Sequence, residues 1–133
     1  MLIERERVQP IRPALEEVQH YLSGAPFANW TEQALRFATA EALETKDRKA
    51  FLRTLLYPGR FCYSWMTGRM GSNDDAVAFL AETRPARLDV SLITRALQCR
   101  RADADPDVLF PARTTLPSQV DACAALLAGV ALQ

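Results

Sequence analysis

Apolar residues recur every three or four positions along most of the chain, which is the spacing of amphipathic helices rather than of strands. Pro13 suits the first turn of a helix that runs to about Ser23. Asn29 is the predicted N-cap of a second helix, because Glu32 follows it at capping-box spacing. The predicted buried stripe of this second helix consists of Ala34, Phe37, Ala38 and Ala42.

A third helix is predicted to begin near Asp47, where a strongly apolar run follows a charged stretch. Pro58 removes a backbone donor and clashes with the preceding turn, so we expect a kink or a break at Tyr57. A helical segment should resume as far as Met66, and Gly68 is a natural C-terminal stop.

Three further segments complete the pattern. Ser72, with an aspartate three residues on, predicts the start of a helix that Pro85 closes. Another helix is predicted over 86–101, and a polar loop over 102–115. The last helix is predicted to begin at Pro117. Its predicted buried face consists of Val120, Ala124, Leu127 and Ala131. The pattern predicts an all-α protein, a compact bundle of about six helices in one domain over 1–133.

The composition of the chain limits the classes of partner that it could bind. Sixteen basic residues balance sixteen acidic ones, which argues against general attraction to nucleic acid or anionic lipid. No apolar run approaches the length of a membrane span, and the charged N-terminus lacks the apolar core of a signal peptide. We therefore predict a cytoplasmic protein. Its three cysteines, Cys62, Cys99 and Cys123, have no metal-site spacing and are predicted to be buried thiols.

Several residues suggest chemistry but do not form a catalytic set. His20 is the only histidine, which excludes a two-histidine metal site. Asp103, Asp105 and Asp107 alternate in a loop that lacks the glycine and terminal glutamate of a calcium loop, so a solvated acidic loop is favoured. The carboxylates after Ser72 are explained by helix capping.

The strongest candidates for ligand binding are Arg60 and Arg69, with Tyr63 nearby. Arg60 is predicted on an aromatic-rich, buried helix, where an arginine is costly without a negative partner. Its guanidinium could clamp a phosphate, or it could pair with a carboxylate or a helix-terminal carbonyl of its own domain. Arg69, just past a helix end, also suits the negative pole of the helix dipole.

The stretch from Arg60 to Pro85 resembles a known family. The pattern is R-x-x-Y, then T-G-R-x-x-S-N-x-x-A, followed by Phe79 and Glu82. It is similar to the C-terminal helical domain of aminoglycoside adenylyltransferases of the streptomycin/spectinomycin type, and the resemblance covers roughly 47–127. The resemblance implies a nucleotidyltransferase substrate-binding-domain-like bundle, a transferase activity linked to antibiotic resistance, and ATP with Mg²⁺ as cofactors when a catalytic domain is present.

The resemblance also assigns roles to residues of this chain. Arg60 matches the arginine that contacts the nucleotide, whereas the family's phosphate-binding lysine falls at Asn73. An amide cannot supply the positive charge that a triphosphate requires. Lys49 and Arg53 lie where acidic, drug-binding residues would be expected, and their charge would repel a polycationic drug.

We expect a domain without catalysis and without a cofactor of its own, since the chain has no room for a catalytic domain before the matched region. It would bind a small anionic ligand, or a separately encoded nucleotidyltransferase domain. One alternative is a subunit or fragment of an aminoglycoside nucleotidyltransferase, active only with a catalytic partner. Another is a homodimer that uses an exposed apolar surface near Trp30 and Phe110.

Overall fold

A computed structural model describes residues 14–129, and all regular secondary structure in this part of the chain is helical, with no strand. The predicted all-α bundle is thereby confirmed, and six α-helices form it. In chain order they are α1 (Leu15–Leu22), α2 (Ala25–Ala38), α3 (Arg48–Thr67), α4 (Asn73–Thr83), α5 (Val90–Arg101) and α6 (Leu116–Leu127). Two 3₁₀ segments, Thr45–Asp47 and Pro106–Thr115, precede α3 and α6 respectively.

Helix α3 is the central element of the bundle and contacts each of the other five helices. Its largest fully buried side chains are Phe51, Leu55 and Phe61. Because α3 is surrounded, its apolar face is wider than that of an ordinary surface helix. Nearly all the buried apolar residues belong to one continuous core. The thiols of Cys62, Cys99 and Cys123 are free and buried, as predicted.

Helix α3 runs unbroken through Pro58, so of the kink or break predicted at Tyr57 the break is wrong. Residue 58 would ordinarily donate its amide proton to the carbonyl of Thr54, but proline has none. The indole Nε1 of Trp30 in α2 donates to that carbonyl instead, at 3.0 Å. A side chain from a neighbouring helix thus satisfies the acceptor that the proline leaves open, and α3 continues.

Gly59 follows the proline at the point where α3 approaches α4 and α5. A Cβ placed there would lie 3.1 Å from Leu80 and 3.2 Å from Ile93. The absence of a side chain therefore allows three helices to meet closely around one buried position.

The turn between α3 and α4 follows the predicted signals. Gly68 ends α3 in the left-handed conformation at φ 73°, which glycine adopts without strain. Ser72 caps α4, because its hydroxyl accepts from the amide of Asp75 and the Asp75 carboxylate accepts from the amide of Ser72. This reciprocal pair is the capping box that the sequence predicts.

Several boundaries and segments differ from the predictions. Helix α2 begins at Ala25 rather than after Asn29, because Pro26 fits its first turn, and it ends before Ala42, which is exposed. Residues 86–89 precede α5, whose N-cap is Asp89. The predicted loop over 102–115 is largely a 3₁₀ segment.

The predicted face of α6 is rotated by about one position. The structure buries Leu116, Gln119, Ala122, Cys123 and Leu126. Of the predicted set, Val120 and Leu127 are half-buried, and Ala124 is exposed. Ala131 and Pro13 lie outside the described residues.

Candidate functional site

Arg60 lies on the outer side of α3 and is exposed, so the predicted buried setting is wrong. The guanidinium donates from Nη2 to the carbonyl oxygen of Gly71, at 3.2 Å. Gly71 lies in the loop before α4, so its carbonyl is neither the carboxylate nor the helix-terminal carbonyl considered from the sequence. A single bond leaves most of the five guanidinium donors available to water or a ligand.

Tyr63 and the Arg60 partner Gly71 lie together. A Cβ on Gly71 would lie 2.5 Å from Cε2 of Tyr63, so the loop rests directly on the tyrosine ring. The same ring packs edge-on against Phe79 of α4, with centroids 5.4 Å apart. Arg60 and Tyr63 therefore hold the α3–α4 loop against α3 from two sides.

The other two predicted residues are not joined to Arg60 by any hydrogen bond within 14–129. Arg69 is exposed in the loop, and its amide donates to the hydroxyl of Thr67 at 3.1 Å. Asn73 is the first residue of α4, and its Oδ1 is buried without a hydrogen-bond partner. The Arg69 backbone therefore helps to fix the loop, and neither side chain bonds to the Arg60 guanidinium.

A cavity of about 180 Å³ lies beside Arg60, between α1, α2 and α3. We call it the Arg60 cavity. Its lining is mainly aromatic and aliphatic, with two polar groups in addition to tyrosine hydroxyls. The lining residues are Tyr21, Leu22, Pro26, Tyr57, Arg60, Phe61, Ser64 and Met70. An apolar cavity with few polar groups is the usual composition of a small-molecule site.

Two lining residues of this cavity, Tyr57 and Phe61, belong to a row of aromatic rings that continues behind them to Trp30 and Trp65. Trp30 stacks on Tyr57 with centroids 5.1 Å apart, and Phe61 stacks on Trp65 at 5.6 Å. Tyr57 and Phe61 link the two pairs at 5.9 Å. Because both tryptophans of the chain belong to this row, occupation of the cavity would change the environment of the intrinsic fluorophores.

The hydroxyl of Tyr57 is buried and has no hydrogen-bond partner among the described residues. Burial raises the pKa of this phenol to about 12, with smaller contributions from Cys123 and Tyr21, whereas Arg60 lowers the pKa. Tyr21 and Arg60 also line the Arg60 cavity, as does Tyr57 itself, whereas Cys123 belongs to the buried core. At neutral pH the phenol keeps its proton, so the hydroxyl is a hydrogen-bond donor without an acceptor among the described residues.

Sequence reasoning missed Tyr57, although a signal for it was present. Tyr57, Arg60, Phe61 and Ser64 are spaced as one face of a single helix. The expected kink or break at Tyr57 separated this residue from Arg60 and concealed the shared face. Tyr21, which adds the opposite wall from α1, carries no local signal of its role.

The remaining candidates form no second chemical centre in the described part of the chain. The carboxylates of Asp105 and Asp107 both pair with Arg48 at 3.5 Å, so these ion pairs attach the acidic segment to α3. His20 is exposed in the last turn of α1. Among residues 14–129, no group of three histidine, cysteine, aspartate or glutamate side chains could hold a metal ion.

The apolar surface proposed for a homodimer is not where the sequence predicted it. Trp30 is only 5% exposed. Phe110 packs edge-on against Phe51 at 5.5 Å and lies under the guanidinium of Arg113 at 4.2 Å. The large apolar side chains that are exposed include Tyr21 and Met70, at the rim of the Arg60 cavity.

Comparison of the chain with protein-family models, curated proteins and solved structures found no match. The resemblance to adenylyltransferases therefore stays a prediction. No described helix is both long enough and apolar enough to cross a membrane.

Proposed function

We propose that this chain is a non-catalytic binding domain that takes a small anionic ligand with a single-ring body in the Arg60 cavity. The buried, unpartnered hydroxyl of Tyr57 beside Arg60 is the observation that carries the proposal. A buried donor without an acceptor costs roughly 1–3 kcal/mol, and a ligand that supplies the acceptor recovers this free energy.

The volume and lining define the ligand class. A dry apolar cavity of roughly 150 Å³ can hold a benzene ring, and the Arg60 cavity is of similar size at about 180 Å³. The aromatic wall suits a flat ring, while Arg60 suits a carboxylate or phosphate at the mouth. An aromatic monocarboxylate combines both features and can also accept from Tyr57.

The resemblance adds a specific version of this proposal. If Arg60 has the role that its match implies, the anionic group is a nucleotide phosphate, and ATP with Mg²⁺ is the ligand. A separately encoded catalytic domain would then be the partner. The cavity accommodates one ring, so most of the nucleotide would lie outside it.

Benzoate is the first probe, and its binding is measured by the change in tryptophan fluorescence. Benzamide is the neutral control of the same shape. We expect saturable binding of benzoate that Arg60→Gln weakens about 10- to 100-fold, the usual contribution of a charge-assisted hydrogen bond. Arg69→Gln, which removes an equal charge from the loop, should leave the affinity unchanged. Calorimetry with ATP and Mg²⁺, repeated on Arg60→Ala, tests the nucleotide version.

Tyr57→Phe separates binding from folding. Because the hydroxyl has no partner in the free protein, its removal should leave the free energy of unfolding unchanged or raise it slightly. The same change should weaken benzoate binding. Absence of saturable benzoate and ATP binding, or equal affinity in the Arg60→Gln variant, would refute the proposed ligand site.

A further inference from the structure

A second, larger recess lies at the other end of α3, away from the residues that line the Arg60 cavity. Two adjoining cavities, of about 320 and 450 Å³, share Lys49, Leu52, Asp103 and Ala104. We call the combined recess the Lys49 groove. Arg53, Cys99 and Arg100 complete its first part, and the segment 103–106 forms the edge of its second.

The groove has an apolar floor and a fixed edge. Leu52 and Cys99 are buried beneath it, with exposures of 9% and 8%. Beyond α5 the chain reverses at Asp103, which has a left-handed φ of 51°, and the amide of Ala104 donates to the carbonyl of Cys99 at 3.0 Å. The edge is therefore held by the end of the helix.

Positive charge dominates the first part of the groove. Lys49 and Arg53 stand one turn apart on α3, and Arg100 faces them from α5. None of these three cations takes part in the ion pairs formed between described residues. Asp103 is the only carboxylate that lines this part, since Asp105 lies in the second part and pairs with Arg48.

This arrangement is unfavourable in the absence of an anion. Like charges at i and i+4 on a helix destabilise it by roughly 0.2–0.5 kcal/mol. The helix dipole explains a cation near the end of α5, but it does not explain Lys49 in the first turn of α3, where the dipole disfavours a cation. An anionic ligand would relieve the repulsion among all three.

We propose that the Lys49 groove binds a small molecule that carries a phosphate or diphosphate group. Two guanidinium groups and one ammonium match the charge and the oxygen-rich geometry of such a group. The buried floor of Leu52 and Cys99 suits the organic part of the molecule. This site is independent of the Arg60 cavity and of the ring-bearing ligand proposed for it.

Inorganic pyrophosphate is the probe, titrated into the nitrogen-15-labelled protein at constant ionic strength. We expect saturable amide shifts confined to the start of α3 and to 99–104. Arg53→Gln should weaken binding about tenfold, as the loss of one charged contact implies. Arg95→Gln is the matched control, because Arg95 is exposed on α5 but does not line the groove.

Pyrophosphate also distinguishes this site from the first. If the protein does not bind benzoate but pyrophosphate still shifts the amide signals, the ligand site proposed in the Arg60 cavity is refuted and the site in the Lys49 groove is supported. The opposite result would refute the groove alone. No saturation by about 10 mM pyrophosphate, or equal weakening by Arg53→Gln and Arg95→Gln, would show that the recess is only a solvated basic surface.

Discussion

The bond between the Trp30 indole and the Thr54 carbonyl is predicted to compensate for Pro58. Trp30→Phe keeps an aromatic ring against Tyr57 but removes the only donor that the structure gives to this carbonyl from outside α3. An unpaired buried carbonyl costs about 1–3 kcal/mol, in addition to the smaller buried area of phenylalanine. That is a large part of the roughly 5–15 kcal/mol by which domains of this kind are stable.

A second substitution isolates the hydrogen-bond contribution. Pro58→Ala restores an amide proton four residues after Thr54, so the carbonyl then has a donor within its own helix. In that background Trp30→Phe should lose only the ring-area contribution. The two costs should differ by about 1–2 kcal/mol, which is the coupling free energy between positions 30 and 58.

Urea unfolding, monitored by far-ultraviolet circular dichroism, gives the stability of the wild type, the two single variants and the double variant. The helical signal does not depend on tryptophan. Trp65→Phe is the matched control, because Trp65 also stacks on a neighbouring ring but has no bond to the Thr54 carbonyl. Its cost should be the same with proline or alanine at 58. If Trp30→Phe also costs the same in both backgrounds, within about 0.5 kcal/mol, the explanation of the unbroken helix is wrong.

Three other predictions concern the loop after α3 and the buried titratable groups. Ser72→Ala removes the cap of α4 and should lower the free energy of unfolding by about 1 kcal/mol, measured by urea titration, whereas no change would contradict the role of the cap. Gly71→Ala places a Cβ 2.5 Å from the Tyr63 ring and should cost about 1–3 kcal/mol, an effect that Tyr63→Ala should largely relieve in a double-mutant cycle. Burial raises the pKa of Cys62 from 9.0 to about 11 and that of Tyr57 from 10.0 to about 12. The unfolded chain therefore releases these protons first, so these two groups should lower thermal stability as the pH rises from about 9 to 12. A flat stability profile in that range would refute the burial argument.

The elements that could be predicted are those whose signals are local. Gly68 and Ser72 act on their own neighbours, so the end of α3 and the start of α4 appear in the sequence as they do in the structure. The fate of Pro58 could not be predicted in this way, because the compensating donor is 24 residues earlier in the chain. The buried face of α6 was also predicted wrongly, because small residues of that helix occur on several of its faces and leave the apolar periodicity ambiguous.

The candidate site also combines a feature with a local sequence signal and a feature that depends on packing between distant residues. Arg60 was identified from its neighbours in sequence, but the cost of burying it, which motivated the choice, does not arise because the side chain is exposed. What makes the position notable is the cavity beside it, and that depends on Tyr21 from α1 and Pro26 from α2. Such a cavity is a product of packing between helices, and no spacing within one helix predicts it.

The continuity of α3 connects the fold to the proposed ligand site. Tyr57 and Arg60 lie on one face only because the helix passes through Pro58 without a break. The bond that permits this comes from Trp30, whose ring also stacks on Tyr57, a lining residue of the cavity. One side chain of α2 therefore satisfies the helix backbone and fixes the ring that carries the unpartnered hydroxyl. The orientation of that hydroxyl is thus tied to core packing rather than to a mobile surface loop, which is the condition for a preorganised binding site.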